Sequence, residues 1–278
     1  MKLVPESYSA RKRHLPMGRP ESPVRGKSVV PWMCLLAVIS LIIAPTSRAL
    51  PTLDELRPTH ARPFFMPESE LERIRTLIDS EPWAKDVYED IRKKAGKRNY
   101  FLSAFLYALD GEVSQLAVAR SWLLNYGKKG GDIHKAKERL ADPEFFKGGQ
   151  KHMQQVYYSI DPRPLLAYDY IYKGLSAEDR RIIEDGILTS ARFRMRSMDR
   201  WTQTPNLVFK PTWMVALAGL VTQNEEALAW GFLRKPGSRL GGYFSAMDVM
   251  LEDGGPWAEA SPYAILHKDL LLMLRMSR

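Results

Sequence analysis

The chain has 278 residues, 45% of them hydrophobic and 26% charged, and a formal net charge of +9. That composition excludes disordered, fibrous and low-complexity classes and is sufficient for one sizeable core. The positive charge is concentrated at the front. Residues 1–49 hold eight Lys and Arg against Glu6 and Glu21, which accounts for six of the nine net charges. The remainder is only mildly basic and shows no basic stripe with a recognition module, so nucleic acid is not an expected partner, whereas an anionic ligand is.

Arg11, Lys12, Arg13, Arg19, Arg25 and Lys27 precede an uncharged run, VVPWMCLLAVISLIIAP, that ends at Pro45 and is followed by Ser47 and Ala49. A basic stretch, an apolar stretch and two small residues spaced by one predict a secretory signal peptide over 1–49, cleaved after Ala49. A domain of residues 50–278 would then lie in the periplasm or the medium. The rival reading is a membrane anchor, because the run approaches the roughly 20 residues of a spanning helix. The membrane is therefore a partner only if the leader stays uncleaved. Cys34, the sole cysteine, lies inside the leader, so cleavage leaves no disulfide and no thiol chemistry.

From Leu50 the pattern reads as helix after helix, with no period-two alternation to argue for a sheet. Pro67 opens the first helix, with Leu71, Ile74, Leu77 and Ile78 on one face. Pro82 opens the second, with Trp83, Val87, Ile91 and Ala95 as its stripe. Further helices are predicted near 99–109, 112–126 (closed by Gly127), 152–159, 163–173 (closed by Gly174), 177–198, 211–222, 225–233, 241–251 and 261–276. Ser176 and Asp179 make a capping box for the long one. Short loops between amphipathic helices imply antiparallel neighbours, hence an all-α chain of helical hairpins. No repeat of fixed length argues for a solenoid. The last helix runs to the C-terminus without a Gly or Pro stop, so the architecture is expected to continue past Arg278.

Four stretches carry a more specific likeness. ARPFFMPESELERIRTLIDSEPWAKDVYEDIRKKA, PLLAYDYIYKGLSAEDRRIIEDGIL, NLVFKPTWMVALAGLVTQNEEALAWG and LEDGGPWAEASPYAILH resemble segments of secreted polysaccharide lyases of the alginate lyase and heparinase II/III type. The likeness spans most of 62–274. It implies an incomplete (α/α) toroid of antiparallel helix hairpins without the family's C-terminal β-sandwich. It further implies β-elimination on a uronic-acid polysaccharide, with Tyr263 as catalytic residue and Asn206 as the amide that binds the substrate carboxylate. Tyr263 follows Asn206 by 57 residues, a separation similar to that in alginate lyase-like members. One departure stands out: many members have a histidine directly after the asparagine, and here Leu207 follows.

The chemistry accounts for those residue types. Removing the C5 proton beside a carboxylate builds negative charge, which an amide such as Asn206 must relieve by hydrogen bonding. A tyrosine can take that proton and return one to the leaving oxygen if cationic neighbours lower its pKa from about 10. In place of the missing histidine, His152 is preferred, set in a glycine-flanked segment where Gln150 and Gln154 are placed to contact hydroxyls. Arg200, Trp257, Glu259 and His267 complete the expected substrate-binding set, His267 lying one helical turn after Tyr263. No cofactor is expected, and the histidines show no metal-ligand spacing.

Plainer readings stand beside these. Tyr263 by default is a half-buried packing residue, Asn206 beside Pro205 a turn residue, and His60 and His134 solvated surface groups. Arg192, Arg194, Arg196 and Arg200 read first as a solvated helix end, with polyanion binding left open. Two other functions compete. One is a toroid glycoside hydrolase using Asp253 or Glu259 with a partner such as Asp169 across a cleft. The other is an inactive or truncated carbohydrate-binding protein.

Overall fold

The computed structural model describes residues 52–95, 99–147, 156, 160–198 and 205–233, with side chains from 211 onward in the last stretch. The predicted helices at 152–159, 241–251 and 261–276 lie wholly or almost wholly outside these residues. All regular structure among the described residues is helical.

The first two helices, α1 (Glu68–Ser80) and α2 (Pro82–Ala95), form a hairpin joined by Glu81. In α1 the expected face turns inward, with Leu71 buried and Ile74, Leu77 and Ile78 half-buried. In α2 the second half of the expected stripe holds, at Ile91 and Ala95, and the first half is displaced by one residue. Trp83 and Val87 are 60% and 52% exposed, while Ala84 and Ala95 are buried and Tyr88 and Ile91 are half-buried. The small Ala84 and Ala95 set the close face, and Tyr88 is held inward because its hydroxyl donates to Asp110 at 2.7 Å.

The central helices are α3 (Tyr100–Asp110) and α4 (Val113–Lys128), a hairpin turned by Gly111 at φ 72°. A short α5 (Ala136–Ala141) and a 3-10 turn (Phe145–Lys147) follow, neither of which the periodicity marks. Next come α6 (Arg163–Ile171), a 3-10 turn (Tyr172–Gly174) and α7 (Ala177–Met198). The last two are α8 (Pro205–Thr222) and α9 (Glu225–Phe232).

Two corrections concern helix ends. Gly127 does not close α4 but sits inside it, because α4 crosses α7 there. A Cβ on Gly127 would stand 2.3 Å from the Ile182 carbonyl oxygen, and one on Gly186 would stand 2.6 Å from Gly127 Cα. The turn comes later, at Gly130 and Gly131, with φ of 80° and 90°. At the other boundary, α8 starts at Pro205, not Pro211. Pro205 takes the first helical position, where proline fits, and the helix runs through Pro211 at the cost of one backbone hydrogen bond. Burial offsets that cost, since every residue from Pro211 to Val221 is buried, as expected of a helix packed on all sides.

The helices pack in two rows. α3, α6 and α8 form one, α6 lying between the others. α4, α7 and α9 form the second, α7 lying against both its neighbours. α4 packs on α3 and α6, and α8 on α7 and α9. Within the first row the helices run parallel. Tyr100 at the start of α3 feels Asp161 and Arg163 at the start of α6. At the other end Arg62 donates both to Asp169 in the last turn of α6 and to the Val221 carbonyl in the last turn of α8. The starts of α3, α6 and α8 therefore point the same way, and so do their ends.

Polar contacts fix the register between rows. The capping box at α7 forms as expected: the Asp179 backbone N–H donates to Ser176 Oγ at 3.1 Å and the Ser176 N–H to Asp179 Oδ2 at 3.3 Å. Arg120 of α4 adds two bonds of 2.8 Å to the same carboxylate. Asp179→Ala removes a cap and a two-pronged ion pair together. It is expected to lower unfolding free energy by about 1–2 kcal/mol, read as a lower urea midpoint with an unchanged slope.

Candidate functional site

Asn206 lies in the first turn of α8, not in a loop before it. Because α3, α6 and α8 are parallel, its backbone is on the side of the domain toward which α3 and α6 begin. Asn206 is thus the one candidate whose backbone is placed. Gln150, His152, Gln154, Arg200, Trp257, Glu259, Tyr263 and His267 lie outside the described residues, as does the side chain of Asn206.

The described groups around these helix starts are aromatic and charged. Asn99 caps α3 by accepting from the Leu102 N–H at 3.3 Å. Asp161 holds the start of α6, accepting the Arg163 backbone N–H at 3.0 Å and its guanidinium at 2.8 and 2.7 Å. Tyr100 stacks flat on Trp122 at 3.6 Å between ring centroids, and Trp122 continues to Tyr126 at 5.6 Å. Tyr100 and Trp122 are half-buried, a flat apolar surface of the kind that takes a ring face. Sequence reading missed this stack. Its signal was symmetry: Tyr100 and Trp122 lie nearly equidistant from the turn at Gly111 and Glu112, so an antiparallel hairpin must bring them together.

Five described tyrosines are shifted upward. Burial, with Asp161 nearby, pushes Tyr100 up to about 12. Burial pushes Tyr170 up to about 12 as well. Tyr88, Tyr126 and Tyr168 are also raised, each chiefly by burial, Asp110 adding to it at Tyr88 and Glu184 at Tyr168. Every shifted tyrosine among the described residues moves away from the phenolate that base catalysis requires.

Of the arginines read as a solvated helix end, Arg194 and Arg196 are not solvated, and Arg200 lies outside the described residues. Arg194 is 2% exposed and donates to both oxygens of Asp132. Arg196 donates to the Leu140 carbonyl at 2.7 Å and lies over the Phe146 ring at 4.6 Å. Arg192 is open as expected, half-exposed with Glu226 at 3.9 Å. Arg194 and Arg196 therefore hold α7 to the segment around α5. His134 is exposed as expected, whereas His60 is half-buried with its ring 6.1 Å from that of Phe64.

Asp169 likewise departs from expectation. Its carboxylate is 1% exposed and faces no cleft. Oδ1 accepts from Arg62 at 3.0 Å and Oδ2 from the Phe65 backbone N–H at 3.1 Å. The Arg62 guanidinium also lies 4.0 Å from the Tyr172 ring centroid and 4.3 Å from that of Phe64. A carboxylate so enclosed cannot protonate a glycosidic oxygen. It fastens the segment before α1 to the ends of α6 and α8.

No protein-family model matches the chain, and no solved structure matches it. The chain is similar to an exo-oligoalginate lyase of Saccharophagus degradans, 26% identical over 192 residues. That stretch is 66% of this chain and 25% of the relative, so the chain spans about a quarter of the relative's length.

Proposed function

We propose that this protein is a polysaccharide lyase that cleaves a uronic-acid polymer by β-elimination, acting in the periplasm or medium after removal of residues 1–49. The similarity to an exo-oligoalginate lyase over 66% of the chain carries this reading. The substrate class is alginate-like or glycosaminoglycan-like. The two rows of helices, parallel within the first row, support an (α/α) toroid, and this reading puts its cleft at the starts of α3, α6 and α8.

In this reading Asn206 donates its amide to the substrate carboxylate from the first turn of α8. The helix start adds partial positive charge of the sign an enolate-like intermediate needs. Tyr263 abstracts the C5 proton, the C4–oxygen bond breaks as the C4–C5 double bond forms, and the proton returns to the leaving oxygen. His152 assists in place of a histidine at position 207. The Tyr100–Trp122 stack supports the reading as a surface for a sugar ring, and the enclosure of Asp169 weighs against a hydrolase built on that carboxylate.

The test is a panel of alginate, heparin-like, hyaluronan-like and other uronic-acid polymers incubated with the secreted protein. Ultraviolet absorbance follows the unsaturated product, and a reducing-sugar assay counts all cleavage. Rising absorbance on at least one polymer is expected. Reducing ends without absorbance would establish hydrolysis instead, and neither signal on any polymer would reject the enzyme.

A further inference from the structure

At the opposite end of the same helices, where α3 and α6 finish, a cavity of about 420 Å³ opens between them and α1. That is within the roughly 300–1,000 Å³ of small-molecule pockets and has room for one or two sugar rings. Pro63, Leu71 and Tyr107 contribute apolar wall, and Glu68, Asp110, Tyr170 and Lys173 contribute polar groups.

The wall is built and partly rigid. Arg75 binds Glu68 at 2.7 Å and donates to the Leu109 carbonyl at 2.7 Å, so its cation is used in capping the end of α3. Asp110 is held by Tyr88. Both carboxylates keep acceptor capacity, since a carboxylate takes about four hydrogen bonds. Lys173 is exposed and makes no ion pair with any described residue. Tyr170 is only 9% exposed, packed beside Phe101 and Phe105, yet it lines the cavity. Fixed acceptors, an available ammonium and tyrosine rings meet the requirements of a polyhydroxylated ligand that bears one acid group.

We propose that this cavity is a second, non-catalytic saccharide site, in which Lys173 receives the carboxylate of a uronic acid and Glu68 and Asp110 accept its hydroxyls. The identity of the sugar acid rests on the reading of the protein as a lyase; the cavity and its charges do not. The site is far from the helix starts assigned to catalysis, so occupancy would hold a chain end or a product without blocking the cleft.

The test uses a free uronic acid, which has no glycosidic bond to cleave, and its neutral hexose counterpart, titrated into the secreted protein and followed by NMR or calorimetry. Saturable uronate binding is expected, weakened by about tenfold in Lys173→Met, as for loss of one charge-assisted contact, with hexose binding unchanged by that substitution. Lys173 is exposed, so the variant keeps the fold, and its turnover on polymer at saturation should match the parent's. Uronate binding that is absent, or equal in parent and Lys173→Met, overturns the site. Polymer cleavage measured in parallel separates the two ideas: cleavage with no Lys173-dependent binding removes only the cavity proposal. Lys173-dependent binding without cleavage removes only the lyase.

Discussion

Tyr263→Phe is expected to lower formation of unsaturated product by at least roughly a hundredfold while leaving thermal stability nearly unchanged. The substitution deletes one hydroxyl and keeps the ring, so packing is preserved and proton transfer is lost. The sequence pattern alone predicts a helix at 261–276, in whose first turn the dipole would favour a Tyr263 phenolate; these residues lie outside those the structure describes. Initial rates by ultraviolet absorbance, with circular dichroism to confirm folding, decide the matter. A Phe variant that works at a rate near the parent's returns Tyr263 to packing.

The largest expected stability effect belongs to Asp169→Ala. It strands the Arg62 guanidinium, whose side chain is 10% exposed, and leaves the Phe65 N–H without its acceptor. Breaking a buried ion pair by removing one partner costs about 3–5 kcal/mol. For a domain of this size that is a fall in Tm on the order of 10 °C. Asp169→Asn keeps an acceptor for Phe65 and should cost less.

The pH dependence carries a sign of its own. Burial outweighs Arg62 and the backbone donors, pushing the Asp169 carboxyl up from 3.8 to about 6. The folded protein then holds this proton more tightly than the unfolded chain does. The contribution is complete below about 3.8 and is lost as pH rises through about 6. Asp179 runs oppositely. Pulled below 3.8 chiefly by Arg120, it contributes fully above that value and loses the contribution as pH falls. Urea titrations between these limits should show a declining Asp169 contribution in the parent that is absent from Asp169→Asn. Parallel profiles for the two proteins would contradict that account.

Local signals were legible without coordinates. The sequence alone determined that this is a helical chain, because caps and periodicity act over a few residues. Ser176 and Asp179 bond within one turn, and Ala177–Met198 has the bounds that reading predicts. Leu71, Ile74, Leu77 and Ile78 face inward because a 3.6-residue period leaves them no other common side. The roles of Asn206 and Tyr263 come from the family resemblance of the stretches around them; Tyr263 and the Asn206 side chain lie outside the described residues.

Tertiary structure decided what depends on distant partners. Gly127 looked like a helix stop, but α7 arrives against it and needs the absent Cβ. Pro211 looked like a helix start, but burial of the residues after it outweighs one lost hydrogen bond. Arg194 looked like surface charge until Asp132, 62 residues earlier, closed on it. Asp169 looked like a free carboxylate until Arg62, 107 residues away, enclosed it. Periodicity is blind to each of these because the deciding energy lies between elements: desolvation makes an unpaired buried charge intolerable, and only the fold determines which charge is buried and what stands beside it.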